Sequence, residues 1–341
     1  MTLLNTESFS FDTNREILIK FEKSYLKSNL PHSIIIYGEK GIGKSTFVKY
    51  FVNKLFNNFS EKNNILDTKH ATLINNNSHP NFLVISKLFD EKKNKIKNDI
   101  TVDQIRNLES FIYQTSLFDL PKIILIDVAD DLNIDASNSL LKILEEPRKN
   151  TYFFLISNQL SHLPSTIRSR CIKFKFNKPT YNEFTKIILS NSENNIEKSK
   201  IDYLYDLSNG CPGIALQHSL EDITDYYDEF IDILKNIKIL NNDILNFSSK
   251  LSKFNNDQYS SFLFIVKFTL LNVIKINLCI NKKNKLGEKI NNNFEIISTK
   301  INFSNCYNAL NYLEKNENNL YVFNLDKKLF TLNLFSEIAI D

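Results

Sequence analysis

Eight residues, Gly38-Glu39-Lys40-Gly41-Ile42-Gly43-Lys44-Ser45, constrain this chain more than any other stretch. They satisfy the pattern Gly-x4-Gly-Lys-Ser/Thr. They stand between an apolar run, Ser33 to Tyr37, and a segment of helical spacing from Ser45 to about Phe56. A buried strand that runs into a glycine-rich turn and then a helix lets backbone amides turn inward around phosphate oxygens. The helix N-terminus adds its positive end. Lys44 is placed to neutralise the β- and γ-phosphates as a point charge, and Ser45 to ligate magnesium. Gly38, Gly41, Gly43, Lys44, Ser45 and Thr46 are therefore candidate nucleotide-binding residues, with ATP or ADP and Mg2+ as the expected ligands.

The flanking sequence predicts what carries this loop. After Ser33 to Tyr37, further strands are expected at Phe82 to Ile85, Lys122 to Asp127, Tyr152 to Ser157 and Ile172 to Phe176. Helical signals alternate with them. Thr101-Val102-Asp103-Gln104 reads as a capping box opening a helix to about Gln114. Asn133 is a candidate N-cap for a helix bearing Ile134, Leu140, Leu141 and Leu144 and stopped by Pro147. Such alternation predicts a parallel sheet covered by helices on both faces. Asn57 to Ser78 reads as a polar connection and Lys92 to Asn98 as a charged loop.

Beyond Asn177-Lys178-Pro179 the period is helical throughout, starting with a second capping box at Thr180 to Glu183. Breaks at Asn209 to Gly213 and Asn281 to Glu288 divide the remainder. The expected organisation is an α/β nucleotide-binding domain over 1–178, a small helical lid over 179–222 and a helical C-terminal domain over 223–341.

Composition narrows the classes further. The chain has 341 residues, hydrophobic residues make up 42%, and only 6 Gly and 7 Pro occur, which excludes wholesale disorder and low-complexity architectures. A net charge of +3 provides no global field for nucleic acid, so any such contact has to come from a local patch or from partner subunits. Cys171, Cys211, Cys279 and Cys306 form no C-x-x-C pair, so no zinc ribbon or redox motif is written here. Scattered thiols fit a reducing cytoplasm. No secretory signal is expected at the N-terminus. Phe262 to Ile280, interrupted by Lys267 and Lys275, reads as a buried core helix and not a membrane span.

Asp127 ends its strand where the second acidic residue of such sites holds magnesium. A hydrolysing enzyme also needs a base or water-orienting group beside the γ-phosphate. In many such ATPases that group is a Glu directly after the Asp, and here the position is Val128. Asp130 and Asp131 follow, but a shift of two or three residues leaves the strand end. The expectation is nucleotide binding without efficient turnover.

The stretch Asn138 to Cys171, with Leu140-Leu141-Lys142-Ile143-Leu144-Glu145-Glu146-Pro147 followed by a strand and then Ser169-Arg170-Cys171, resembles the clamp-loader branch of the AAA+ ATPases. Within it the chain is most similar to subunits of the bacterial DNA polymerase III loader, strongly to Phe176 and loosely beyond. His79-Pro80, Cys211-Pro212-Gly213 and Asn324 to Lys328 add to the likeness. The resemblance implies that Arg170 is an arginine finger acting in trans on a neighbour's nucleotide, and that Asn158 is a polar sensor of the γ-phosphate. It also implies a collar-type C-terminal domain that oligomerises. Motor subunits carry a lid element Gly-x-x-Arg; here Ile214 follows Gly213. Many relatives hold a four-cysteine zinc module after the phosphate-loop helix, whereas residues 51–80 contain no Cys, so no zinc is expected.

The resemblance thus implies a cytoplasmic, largely non-hydrolysing stator in a hetero-oligomeric ring. The implied partners are the other loader subunits and, through the assembly, the sliding clamp and primed DNA, with no membrane. An autonomous ATPase, such as the motor subunit of the same loader, remains open because the phosphate loop is intact. A repair helicase is a poorer fit, since no basic stripe interleaved with aromatics is evident.

Overall fold

The computed structural model describes residues 11–62, 70–90, 95–97, 99–114, 120–191, 198–217, 220–237, 242–279 and 288–339. Most of the expected charged loop at 92–98 and of the break at 281–288 lies outside the described residues. Contacts divide the chain into two compact units, Met1–Asn195 with Gly210–Gly213, and Ile196–Asn209 with Ile214–Asp341.

The first unit contains α1 (Arg15–Leu26), β1 (Ser33–Tyr37), α2 (Lys44–Lys62), α3 (His70–Asn75) and β2 (Phe82–Ile85). A short antiparallel hairpin follows, β3 (Phe89–Asp90) and β4 (Lys95–Ile96). Then come α4 (Val102–Tyr113), β5 (Lys122–Ile126), α5 (Ile134–Glu145), β6 (Thr151–Ser157), α6 (Ser165–Arg170), β7 (Ile172–Lys175) and α7 (Tyr181–Ser190). Five strands pair in parallel in the order β2-β5-β6-β1-β7. The registers Ile35 to Leu155 and Leu125 to Phe154 bring the C-terminal ends of β1, β5 and β6 to one edge. In open parallel sheets that edge is where ligands bind.

Every residue of β5 and β6 is buried, as expected of strands covered on both faces. One face packs Ile105, Leu108 and Ile112 of α4 and Leu140 and Leu144 of α5 onto Ile35, Ile124 and Phe153. The other is aromatic, with the Phe21 ring 4.9 Å from Phe174, 5.5 Å from Phe51 and 5.8 Å from Phe154. Both capping boxes form: the Thr101 N–H donates to Gln104 Oε1 at 3.1 Å and the Thr180 N–H to Glu183 Oε2 at 2.8 Å. Asn133 Oδ1 caps α5 by accepting from the Ala136 N–H at 2.8 Å.

The second unit is helical among the described residues: α8 (Lys198–Leu207), α9 (Pro212–Gln217, whose first two residues belong to the first unit), α10 (Leu220–Lys235), α11 (Asn242–Leu251), α12 (Asn256–Asn277), α13 (Glu288–Ser298), α14 (Phe303–Val322) and α15 (Lys327–Ile338). Its core joins Phe230, Phe247, Tyr259, Phe262, Phe294 and Phe335, with the Tyr259 hydroxyl 2.7 Å from Thr331 Oγ1. Gln258–Asn277 is long and apolar enough to cross a membrane by length and composition, yet Leu263, Val266, Leu270 and Val273 are fully buried in this core.

Candidate functional site

The glycine-rich loop connects β1 to α2 and owes its course to two residues in the left-handed region, Gly41 at φ 80° and Gly43 at φ 92°. L side chains are strained there, which is why glycine occupies both positions. Gly38 meets a different constraint: a Cβ at that position would lie 2.5 Å from the Phe176 carbonyl oxygen. The loop is held from a third direction by the turn Cys211-Pro212-Gly213. The Gly213 N–H donates to the Gly41 carbonyl at 2.7 Å, and a Cβ on Gly213 would approach that oxygen to 2.9 Å.

Lys44 opens α2 and is 4% exposed. Its ammonium donates to the Gly38 carbonyl at 2.8 Å, the Glu39 carbonyl at 2.7 Å and Asn158 Oδ1 at 2.9 Å. Burial pushes the Lys44 ammonium down to about 8, against the opposing charges of Asp127, Asp130, Cys211 and Glu39. Burial drives the Asp127 carboxyl upward, opposed by the neighbouring Ser45 hydroxyl and by Lys49 and Lys44. The structure therefore gathers Gly38, Gly41, Gly43, Lys44, Ser45, Asp127 and Asn158 at the C-terminal ends of three adjacent strands. Thr46, half-buried on the first turn of α2, completes the predicted set.

This donor set fits a magnesium nucleotide. It combines a glycine-lined turn, a desolvated ammonium at a helix N-terminus, and a hydroxyl beside a carboxylate, the hard oxygen pair magnesium prefers. Among the described residues no group of three or more His, Cys, Asp or Glu could hold a metal ion.

Counted along the sequence, Asp130 lies past the strand end. Its actual place follows from Val128, a β-branched residue in the left-handed region at φ 61°. The chain reverses there into a 3-10 turn, Ala129–Asp131, which brings the Asp130 carboxylate back to the end of β6. Asp130 Oδ2 accepts from the Asn158 N–H at 2.6 Å and the Gln159 N–H at 3.1 Å. The spacing of Asp127 to Asp130 was visible; the left-handed valine that makes it effective was not.

Arg170 stands apart from these groups in the hydrogen-bond pattern. It is exposed at the end of α6, donating to the Thr166 carbonyl at 2.9 Å and pairing with Glu145 at the end of α5. Cys171 beside it is buried against the α4–α5 side of the sheet.

Comparison with known proteins adds four findings. Residues 13–180 match the protein family described as DNA polymerase III, delta subunit. The delta-prime subunit of DNA polymerase III from Pseudomonas aeruginosa is 34% identical over 143 residues, 42% of this chain and 42% of its own length. That from Buchnera aphidicola subsp. Baizongia pistaciae is 30% identical over 308 residues, 86% of this chain and 88% of the relative. A solved DNA polymerase III gamma subunit-related protein from Thermotoga maritima superposes with a TM-score of 0.43 at 15% identity, covering 96% of this chain and 97% of that one. Matched in sequence over most of its length, the chain belongs to the delta-prime family of DNA polymerase III subunits.

Proposed function

We propose that this chain is a subunit of the clamp loader of DNA replication that binds a magnesium nucleotide, turns it over little by itself, and acts on a neighbouring subunit's ATP through Arg170. Membership of the delta-prime family supports the placement in the loader. The observation that carries the non-hydrolysing part is Val128: the residue after the magnesium-site Asp127 is an aliphatic side chain on a backbone turned away from the strand. No carboxylate follows Asp127 directly to orient an attacking water. The Asp130 carboxylate, three residues after Asp127, already accepts two backbone amides through one oxygen.

In this reading the Gly38 to Ser45 loop and Lys44 hold the phosphates, while Ser45 and Asp127 hold Mg2+, which supplies charge neutralisation at the phosphate oxygens. Asn158, held to Lys44, senses the terminal phosphate. The lid over 179–222 and the helical domain over 223–341 connect this site to the ring. The expected partners are the tau/gamma and delta subunits in the cytoplasm, with the sliding clamp and primed DNA reached through the assembly. No zinc takes part.

Nucleotide binding and steady-state hydrolysis by the purified chain, wild type beside Lys44→Ala, test the proposal. The expected result is nucleotide bound by the wild type, affinity reduced at least about tenfold by Lys44→Ala, which removes a charged hydrogen-bonding group, and turnover at background in both. Robust hydrolysis abolished by Lys44→Ala would assign the chain to the motor class.

A further inference from the structure

Asp130 is placed by more than chance packing. The turn that carries it is fixed at both ends, by the Asp131 N–H donating to the Val128 carbonyl at 3.0 Å and the Ile100 N–H donating to the Asp131 carbonyl at 2.7 Å. The neighbouring Asp131 carboxylate is occupied by Lys87 at 2.9 Å. Asp130 thus has little freedom, and its Oδ2 takes two consecutive amides, those of Asn158 and Gln159, immediately after β6. Hydrogen bonds to an ionised acceptor are about twice as strong as neutral ones, so this pair sets the backbone of Asn158 firmly.

What Asn158 then does with its side chain is fixed in turn. Its Oδ1 accepts from the Lys44 ammonium at 2.9 Å, which directs the amide nitrogen, with both its hydrogens, to the opposite side. Two further oxygens at this strand end are buried with no protein partner, Asp130 Oδ1 and Ser157 Oγ. Buried polar atoms left unpaired are costly.

We propose that Asp130 is a positioning residue of the nucleotide site. By fixing the Asn158 backbone it keeps the Asn158 amide spanning from Lys44 to the terminal phosphate of a nucleoside triphosphate, and so sets the preference for triphosphate over diphosphate. The inference rests on the nucleotide-binding reading above and deepens it. Asp130 touches neither nucleotide nor metal in this scheme; it acts through Asn158.

The test is equilibrium binding by the full purified chain of a fluorescent ADP and a fluorescent non-hydrolysable ATP analogue, both with magnesium. Asp130→Ala weakens triphosphate binding about tenfold, the scale of one lost charge-assisted hydrogen bond, and leaves diphosphate binding within about twofold. Asn158→Ala gives the same selective loss, and the double variant loses no more than either single one, because both changes remove one device. Asp130→Asn keeps an acceptor oxygen in the same place and restores most of the preference. Asp130→Glu displaces that oxygen by a methylene and loses the preference, which carries the test should Asp130→Ala fail to fold. Equal losses for both nucleotides, multiplicative losses in the double variant, or no rescue by Asp130→Asn would overturn the positioning role while leaving nucleotide binding intact. A wild-type chain that binds neither nucleotide would instead overturn the reading on which the role depends.

Discussion

At the scale of single residues the site is shaped by one unfavourable conformation. Val128 sits at φ 61°, where a β-branched side chain crowds its own backbone. Strain of this kind costs about 1–2 kcal/mol and persists only where the surroundings over-determine it. Here the surroundings are Asp127, whose N–H is held by the Ile85 carbonyl at 2.8 Å, and the 3-10 turn that aims Asp130 at Asn158. Asparagine tolerates the left-handed region far better than valine and adds none of glycine's unfolded-state entropy. Val128→Asn is therefore expected to raise the unfolding free energy by about 1 kcal/mol with the nucleotide affinity unchanged. Urea unfolding of the two chains measures it; a midpoint unmoved or lowered would mean that valine's packing outweighs its strain.

Among the elements, those that repeat a simple pattern were legible and those defined by distant contacts were not. The strands Ser33–Tyr37, Phe82–Ile85 and Lys122–Ile126 begin where their apolar runs begin, and the helices starting at Val102, Ile134 and Tyr181 follow their predicted caps. The phosphate loop was legible because its chemistry is local. By contrast, Asn57 to Ser78 read as a polar connection, yet α2 continues to Lys62 and α3 occupies His70–Asn75. A six-residue helix is too short to display a period, and its buried residues are Ile74 and a histidine, His70, whose partners lie outside it. Ser60 Oγ is 2.8 Å from His70 Nε2, His70 Nδ1 is 3.0 Å from His79 Nε2, and the Asn81 N–H donates to His79 Nδ1 at 3.0 Å. Since His79 Nδ1 accepts, the neutral ring carries its proton on Nε2 and donates it to His70, which donates onward to Ser60. The Gly213 contact with Gly41 was equally invisible, being a backbone bond across more than 170 residues of sequence.

That histidine chain predicts an acid limit for the α2–α3 corner. Burial, with the adjacent His70 and Lys122, pushes His79 down to about 4, and burial lowers His70 as well. A histidine depressed in the folded state takes up its proton mainly on unfolding. Its contribution is therefore complete above the ordinary value of about 6.5 and is lost as pH falls from there toward 4. In His79→Gln the amide keeps a polar group against Asn81 and does not titrate. Wild type is expected to be the more stable at pH 7, and its urea midpoint to fall more steeply than the variant's between pH 6.5 and 4. Parallel curves would remove His79 as the titrating group.

For the whole molecule the proposed action in trans turns on a residue that makes no bond to its own phosphate site. Arg170 lies exposed at the end of α6, paired with Glu145, which is itself half-exposed. Ion pairs at such positions contribute about 0–1 kcal/mol, so Glu145 holds the guanidinium only weakly. The role proposed for Arg170 on a neighbour's nucleotide needs a group that is weakly held and exposed, and Arg170 is both. Arg170→Ala is accordingly expected to leave the isolated chain's stability and nucleotide affinity nearly unchanged. In a reconstituted loader with wild-type neighbours it should lower ATP turnover by about 10³-fold or more, the range for arginine fingers in related NTPases. Arg170→Lys should not rescue, because an ammonium lacks the planar fork of donors, and Glu145→Ala, which frees Arg170, should cost no activity. Full ATPase in the Arg170→Ala assembly would reduce this residue to half of a surface ion pair and overturn its proposed role.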